Sequence, residues 1–321
     1  SILIHTGLAD GTAPPHAEPV YVREDGSPGR VERSADVTQL GPPASAAVPL
    51  IVQISRWDPL KEHEGVMHAF ARAITHDPSL DAELLLVGPN VRGVTDDPEG
   101  PRVFEEMLRA WRALPHAHRH RVHLAMLPTA DIEENAAIVN ALQRSAAIVV
   151  QKSLQEGFGL TVAEAMWKGR PVLASDVGGI ADQIEDGISG VLLRDPRDLD
   201  ACAEALRGLL TDPERAQRLG AAARERVRDR FLATRHLRDY AELFLRLLGG
   251  PAGAFIKAVE TIYDVISWFI GNAQQIGSLV RTIMSSVTAI VSGSISSLAG
   301  LIEQSLARTI PVVISFLADL L

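Results

Sequence analysis

Leu50-Ile51-Val52-Gln53-Ile54 is a short, mostly apolar run, and Ser55-Arg56-Trp57-Asp58-Pro59-Leu60-Lys61 ends it with polar and turn-forming residues. Such a run, bounded by turn signals, is the pattern of a strand buried on both faces. Residues 64–74 then form an amphipathic stretch of helical length. The same strand-then-helix unit recurs along the chain. Strands are expected at 83–87, 122–125, 146–150, 171–174 and 190–193. Helices are expected at 102–113, 132–143, 160–167, 199–210, 213–228 and 235–247. This alternation specifies an α/β fold with a single Rossmann-like, doubly wound parallel sheet. Ligands of such sheets bind at the carboxyl ends of the strands, so the loops that follow them carry the functional question.

The flanks differ in composition. Residues 1–48 carry Gly11, Pro14, Pro15, Gly26, Pro28, Gly29, Pro42 and Pro43, which read as a linker of loops and short pieces. Residues 49–248 form the α/β domain. Leu248-Gly249-Gly250-Pro251-Ala252-Gly253 marks a break, and residues 249–321 form an apolar, all-α tail. Within it, residues 282–302 are 21 consecutive positions without a charge. That length suits a membrane span, but six serines, two threonines and two glycines make it marginal. Helices packed on each other, on the domain, on partner helices or on a membrane through residues 254–321 all remain open. Exposed apolar helices would also favour self-association.

The 321 residues carry a net charge of −9, which argues against a general nucleic-acid binder. One cysteine, Cys202, excludes a disulfide framework and a multi-cysteine metal site. It reads as a small buried hydrophobe. No secretory signal opens the sequence, and a cytoplasmic location is expected, with membrane association through the tail as a variant. His116, His118, His120 and His123 read as surface histidines, because no ligand spacing fixes a metal geometry. Asp96-Asp97 reads as a solvated turn, and Trp57 and Trp167 as packing residues.

Four loops after strands carry chemistry-bearing residues. Arg56 and Lys61 follow the first strand, where Arg offers a planar fork and Lys a compact charge to a diphosphate. Taken alone, they are equally two surface cations beside Glu62 and Glu64. Gly88, after the second strand, permits close backbone approach by a ligand or simply ends a strand. Glu156-Gly157-Phe158-Gly159-Leu160-Thr161-Val162-Ala163-Glu164 places two carboxylates eight positions apart, one in a glycine loop and one in the next helix. Amides at that helix start suit phosphate oxygens, and a carboxylate one turn in suits paired ribose hydroxyls. Ser175-Asp176-Val177-Gly178-Gly179-Ile180 is a further glycine turn that can open a helix at the same edge.

The stretch 156–164 resembles the E-x7-E motif of retaining GT-B glycosyltransferases. The neighbouring Ala163-Glu164-Ala165-Met166, Gly169-Arg170-Pro171-Val172 and Gly178-Gly179 agree with it, and Arg56 and Lys61 match the family's phosphate-binding pair. Within the family the chain is similar to bacterial trehalose synthases that use a nucleoside-diphosphate glucose. The supporting residues are Val52-Gln53-Ile54-Ser55-Arg56-Trp57-Asp58, the segment 127–144 and Val150-Gln151-Lys152-Ser153-Leu154. Asp25-Gly26-Ser27-Pro28-Gly29-Arg30-Val31 is similar to the interdomain region of those enzymes, so the likeness spans residues 1–248.

The resemblance implies that Arg56, Lys61 and Glu156 are the catalytic set. Gly88, Gly157, Phe158, Gly159, Leu160, Thr161 and Glu164 would line the donor, with Glu156 on the glucose and Glu164 on the ribose. It implies UDP- or ADP-glucose as donor, a sugar acceptor such as glucose, and no cofactor or metal. GT-B enzymes place their site between two Rossmann domains, and only the carboxy-terminal one is recognisable. The sequence starts at Ser1 rather than Met, and the chain alone is expected to bind donor weakly and transfer poorly. The tail end, 307–321, resembles helical segments of bacterial polymorphic toxins. A mosaic effector-like or membrane-associated protein, with the α/β domain as nucleotide-binding module, is therefore the second reading.

Overall fold

The computed structural model describes residues 1–11, 18–45, 47–91 and 99–248. Asp96-Asp97, the uncharged stretch 282–302 and the toxin-like end 307–321 lie outside the described residues, and with them the membrane and partner-helix readings of the tail. Two compact units are separable, Ser1–Leu232 and Ala233–Leu321. The first contains in chain order α1 (Ile2–His5), β1 (Val20–Val22), β2 (Pro28–Arg30), β3 (Asp36–Thr38), β4 (Leu50–Ile54), α2 (His63–His76), β5 (Glu83–Pro89), α3 (Glu99–Ala113), α4 (His116–Arg119), β6 (Val122–Leu127), α5 (Ile132–Ser145), β7 (Ile148–Gln151), α6 (Leu160–Trp167), β8 (Val172–Ser175), α7 (Gly179–Gln183), β9 (Val191–Leu193), α8 (Leu199–Thr211) and α9 (Pro213–Arg230). The second unit opens with α10 (Ala233–Leu248), an amphipathic helix with Leu237, Tyr240, Leu243 and Phe244 exposed. Among the described residues no helix is long and apolar enough to cross a membrane.

A seven-stranded sheet in the order β3-β6-β5-β4-β7-β8-β9 forms the centre of the first unit. The six expected strands are all present and parallel. β7 begins at Ile148 because Ala146 serves as the extended C-cap of α5, its N–H donating to Leu142 O. Every residue of β4, β6 and β7 is buried, as a sheet covered on both faces requires. Side chains alternate between two apolar layers: Ile51, Leu84 and Leu86 pack with α2, α3 and α8, whereas Val52, Leu85 and Val87 pack with α5 and α6.

The stretch 1–48 is more tightly bound to the sheet than a linker. β1 and β2 form an antiparallel hairpin, and β3 adds an antiparallel edge strand on β6, with Asp36 opposite Met126 and Thr38 opposite Leu124. Leu8 and Val31 are buried in the same layer as Val52. The start of α5 ties the segment down. Arg23 pairs with Asp131 at 3.1 Å and with Glu133 at 2.6 Å, and Glu134 accepts from the amides of Glu32 and Arg33 at 2.7 and 2.8 Å.

Two helical glycines contrast in their surroundings. A Cβ on Gly220 in α9 would overlap the Gly169 carbonyl after α6, whereas one on Gly208 in α8 would meet only the end of the Arg215 side chain at 3.6 Å. Gly208→Ala is expected to stabilise the fold by about 0.5–1 kcal/mol, because alanine loses less backbone entropy in a helix. Gly220→Ala is expected to destabilise by about 1–3 kcal/mol through overpacking of α6 against α9. Urea unfolding of both variants checks this, and equal signs would contradict the packing described.

Candidate functional site

β4 has β5 on one side and β7 on the other, and all three are parallel. From β4 the chain proceeds outward to β5 and β6, then crosses back to β7. The loops that leave β4 and β7 therefore diverge from adjacent strands at the carboxyl edge, which is the topological switch point of the sheet. Arg56 and Lys61 lie on the first loop and Glu156 on the second. They meet in a cleft of about 550 Å³ lined by Arg56, Asp58, Lys61, Glu156, Gly157 and Gly178, among others.

The first loop is folded from within. Asp58 caps a 3-10 turn at Pro59–Lys61 by accepting from Leu60 N, and its other oxygen takes Arg56 Nη2 at 3.0 Å. Trp57 is buried, donates from Nε1 to Pro89 O at 2.9 Å, and packs against His63 and Phe104 with ring centroids 4.8 and 4.9 Å away. A Cβ on Gly88 would collide with that indole, so Trp57 itself makes the close approach that Gly88 permits. At the end of the turn, Lys61 Nζ donates to Glu156 Oε2 at 2.6 Å, with both side chains only 14% exposed. Arg56 is 67% exposed, so its guanidinium is mostly solvated.

The second loop is shaped by glycines. Gly157 N donates to Glu156 Oε1 at 3.2 Å, and Ser153 Oγ contributes a 3.4 Å contact to Glu156 Oε2. Gly179 N donates to Gly157 O at 2.7 Å. A Cβ on Gly178, whose φ is +51°, would overlap the Glu156 carbonyl, and one on Gly179 would crowd Gly157 O. The paired glycines thus let the turn before α7 lie directly on the Glu156 loop. Gly159, at φ +85°, is the N-cap of α6.

Gly159, Leu160, Thr161 and Glu164 run along α6 beside this cleft but not in its lining, and Phe158 and Leu160 are exposed apolar side chains. Glu164 is exposed and accepts from Gln143 Nε2 at 3.1 Å; Gln143 Oε1 in turn accepts from Lys168 Nζ. Burial lowers the Lys168 ammonium below its ordinary range, and the Glu164 carboxylate opposes that shift.

Sequence reasoning missed the side chains that hold these groups. Gln53 and Gln151 sit in otherwise apolar strands, and Gln143 on α5, yet all three are buried. Gln53 Nε2 donates to Lys61 O at 2.7 Å; Gln151 donates to Ser153 Oγ at 2.9 Å and accepts from Thr161 Oγ1 at 3.2 Å. A glutamine near the end of an apolar strand was the available signal, since a buried amide must find partners. His123 is also buried rather than on the surface: it lies on β6 and its Nε2 meets Glu83 Oε2 at 2.9 Å. The His116 and His120 rings, on and just after α4, meet edge to face with centroids 4.4 Å apart.

The architecture is a doubly wound α/β half with its polar cleft at the switch point, the build of the carboxy-terminal domain of a GT-B fold. The model of the family "Glycosyl transferases group 1" matches residues 43–226, which include every cleft residue named above. The chain belongs to that family. It is 40% identical over 202 residues to a trehalose synthase of Pyrococcus horikoshii, covering 63% of this chain and 45% of that protein. A trehalose synthase of Rubrobacter xylanophilus is 38% identical over 222 residues, covering 68% and 48%. A trehalose phosphorylase of Pleurotus pulmonarius is 32% identical over 188 residues, covering 56% and 24%. The chain thus spans less than half the length of these curated relatives. Among solved structures, a glycosyltransferase of Rickettsia africae has the same fold, with a TM-score of 0.51, 22% identity, and coverage of 63% of this chain and 48% of that one.

His63, beneath Trp57, is fully buried with Ser55 Oγ 3.1 Å from Nε2, and burial holds its imidazole down to about 3. An unfolded histidine titrates near 6.5, so between these values the unfolded chain binds the extra proton. This contribution is complete above about pH 6.5 and is lost as pH falls toward 3. At pH 5 the loss is about 2 kcal/mol relative to pH 7.5. His63→Asn is expected to show a correspondingly smaller pH dependence in chemical denaturation. Parallel profiles for parent and variant would contradict a buried neutral His63.

Proposed function

We propose that this chain carries the donor half of a retaining glycosyl transfer from a nucleoside-diphosphate glucose to a sugar acceptor. The observation that supports it most directly is the Lys61–Glu156 pair at the switch point, with Arg56 on the same cleft. In this reading Lys61 and Arg56 take the diphosphate, Glu156 takes glucose hydroxyls, and Glu164 takes the ribose hydroxyls. Lys61 has three N–H donors, so a phosphate oxygen can be bound beside Glu156. As the glycosidic bond breaks, negative charge grows on the leaving diphosphate. A lysine already fixed in place stabilises that charge without reorganising. The amides of Gly159, Leu160 and Thr161, at the start of α6, suit the remaining phosphate oxygens. The scheme uses no metal and no cofactor.

Glucose as acceptor is supported by the two kinds of relative, both named for trehalose. The described residues of the first unit hold one doubly wound sheet, which is half of the two-domain arrangement that the family resemblance implies for an acceptor site. Taken by themselves, these residues are expected to bind UDP- or ADP-glucose weakly and to transfer glucose poorly or not at all. A cytoplasmic site of action is consistent with the use of a nucleotide sugar.

Calorimetric titration with UDP, ADP and UDP-glucose tests the reading. Lys61→Ala and the double variant Arg56→Ala, Glu164→Ala each remove charge-assisted contacts worth about 1.5–3 kcal/mol apiece. The lysine variant is expected to lose about tenfold or more in affinity, and the double variant about 100-fold. Equal affinities in parent and variants would rule out this cleft as the donor site.

A further inference from the structure

Lys152 is a lysine with no solvent exposure, immediately after β7. Its Nζ donates to Glu62 Oε2 at 2.7 Å. Glu62 directly follows Lys61 and lies at φ +53°, ψ +39°. Among the described residues it is the sole non-glycine residue with a positive φ. A non-glycine residue is kept in that region when its surroundings over-determine it. Here they do so twice. Glu62 closes the 3-10 turn, with its N–H on Pro59 O at 3.3 Å, and its carbonyl accepts the first amide of α2, from Val66, at 3.1 Å. The Lys152 ammonium then holds its carboxylate. Gly65 leaves the room for this contact, since a Cβ there would overlap both the Glu62 carboxylate and the Lys152 ammonium.

Further ties bind the same two segments. Lys152 N donates to Gln53 Oε1 at 3.3 Å, while Gln53 Nε2 donates to Lys61 O at 2.7 Å. Leu154 N donates to Leu60 O at 2.7 Å. Residues 60, 61 and 62 are thus each fastened to the segment that leaves β7, and that segment carries Glu156. Lys61 would otherwise sit at the end of a short turn with a flexible four-carbon stem.

We propose that Lys152 is a positioning residue for Lys61: its buried ammonium holds Glu62 in the left-handed turn that aims Lys61 at Glu156. The catalytic meaning of this role rests on the donor-site reading above, but the positioning itself is measurable without any ligand. Amine acetylation of the folded 321-residue chain, read by peptide mass spectrometry, reports how well Lys61 is held. Lys152→Met is expected to raise the labelling rate of Lys61 several-fold, with the exposed amine of Ser1 and the Gln143-bonded Lys168 unchanged. Glu62→Gly fits the left-handed backbone but lacks the carboxylate, and is expected to do the same. Glu62→Gln keeps an acceptor for Lys152 and is expected to restore labelling close to the parent value. In parallel, Lys152→Met is expected to weaken ADP or UDP binding about tenfold, as misplacement of a contact residue does. Parent-like protection of Lys61 in a folded Lys152→Met or Glu62→Gly chain overturns the proposal. If Lys152→Met does not fold, Glu62→Gly and Glu62→Gln decide it. If the parent binds no nucleotide, the donor reading fails while the labelling result still stands for or against the positioning role.

Discussion

Buried amides at the carboxyl edge of the sheet set the terms for the rest of the molecule. Gln53 and Gln151 lie on adjacent parallel strands and are essentially without solvent. An unsatisfied buried amide costs about 1–3 kcal/mol, so each must be met by whatever chain passes over it. Gln53 is met by Lys61 O and Lys152 N, and Gln151 by Ser153 and Thr161. The loops that diverge at the switch point are in this way laced to the strands and to each other. The cleft inherits the rigidity of the sheet, which is what a site needs if it is to meet developing charge without rearranging.

The same principle reaches the second carboxylate by another route. Glu164 is exposed, yet its carboxylate is oriented by Gln143, a fully buried amide on α5 that is itself fixed from its other end by Lys168. Glu156 is fixed by Lys61 and by the glycine turn pressed on its own backbone. The two acidic residues of the motif thus have different supports: one an ion pair across the switch point, the other an amide bridge between two helices. Their eight-residue spacing says nothing of this, since the supports come from residues far away in the chain.

That contrast explains what was legible in the sequence. The parallel strands were readable because a strand buried on both faces must be apolar throughout, and the long amphipathic helices were readable for the corresponding reason. That Arg56, Lys61 and Glu156 meet at one edge was readable because the loops after such strands share it. β3 escaped notice since three residues around a single Val37 carry almost no periodic signal, and only pairing with β6 makes them a strand. The space beside Gly88 belongs to Trp57, a contact across 31 positions that no local pattern contains. His123 looked like one of a surface cluster because it follows three histidines that a short spacing groups with it, while its own place on β6 faces Glu83. Lys152 lies in a stretch that resembles the family, but its burial and its bond to Glu62 depend on a partner 90 positions away that no local pattern contains.

The charge balance of the cleft bears on which ligand it favours. Lys61 and Glu156 already satisfy each other, as do Arg56 and Asp58, so the cleft carries no large excess of positive charge in a protein of net charge −9. A free phosphate that drew Lys61 wholly toward itself would leave Glu156, among the described residues, with Ser153 and the Gly157 amide as donors. A ligand that offers a phosphate oxygen to Lys61 and sugar hydroxyls to Glu156 compensates both partners at once. Under the proposed reading, the diphosphate that still bears its sugar engages both members of the pair, whereas the diphosphate alone engages Lys61 beside an unchanged Glu156.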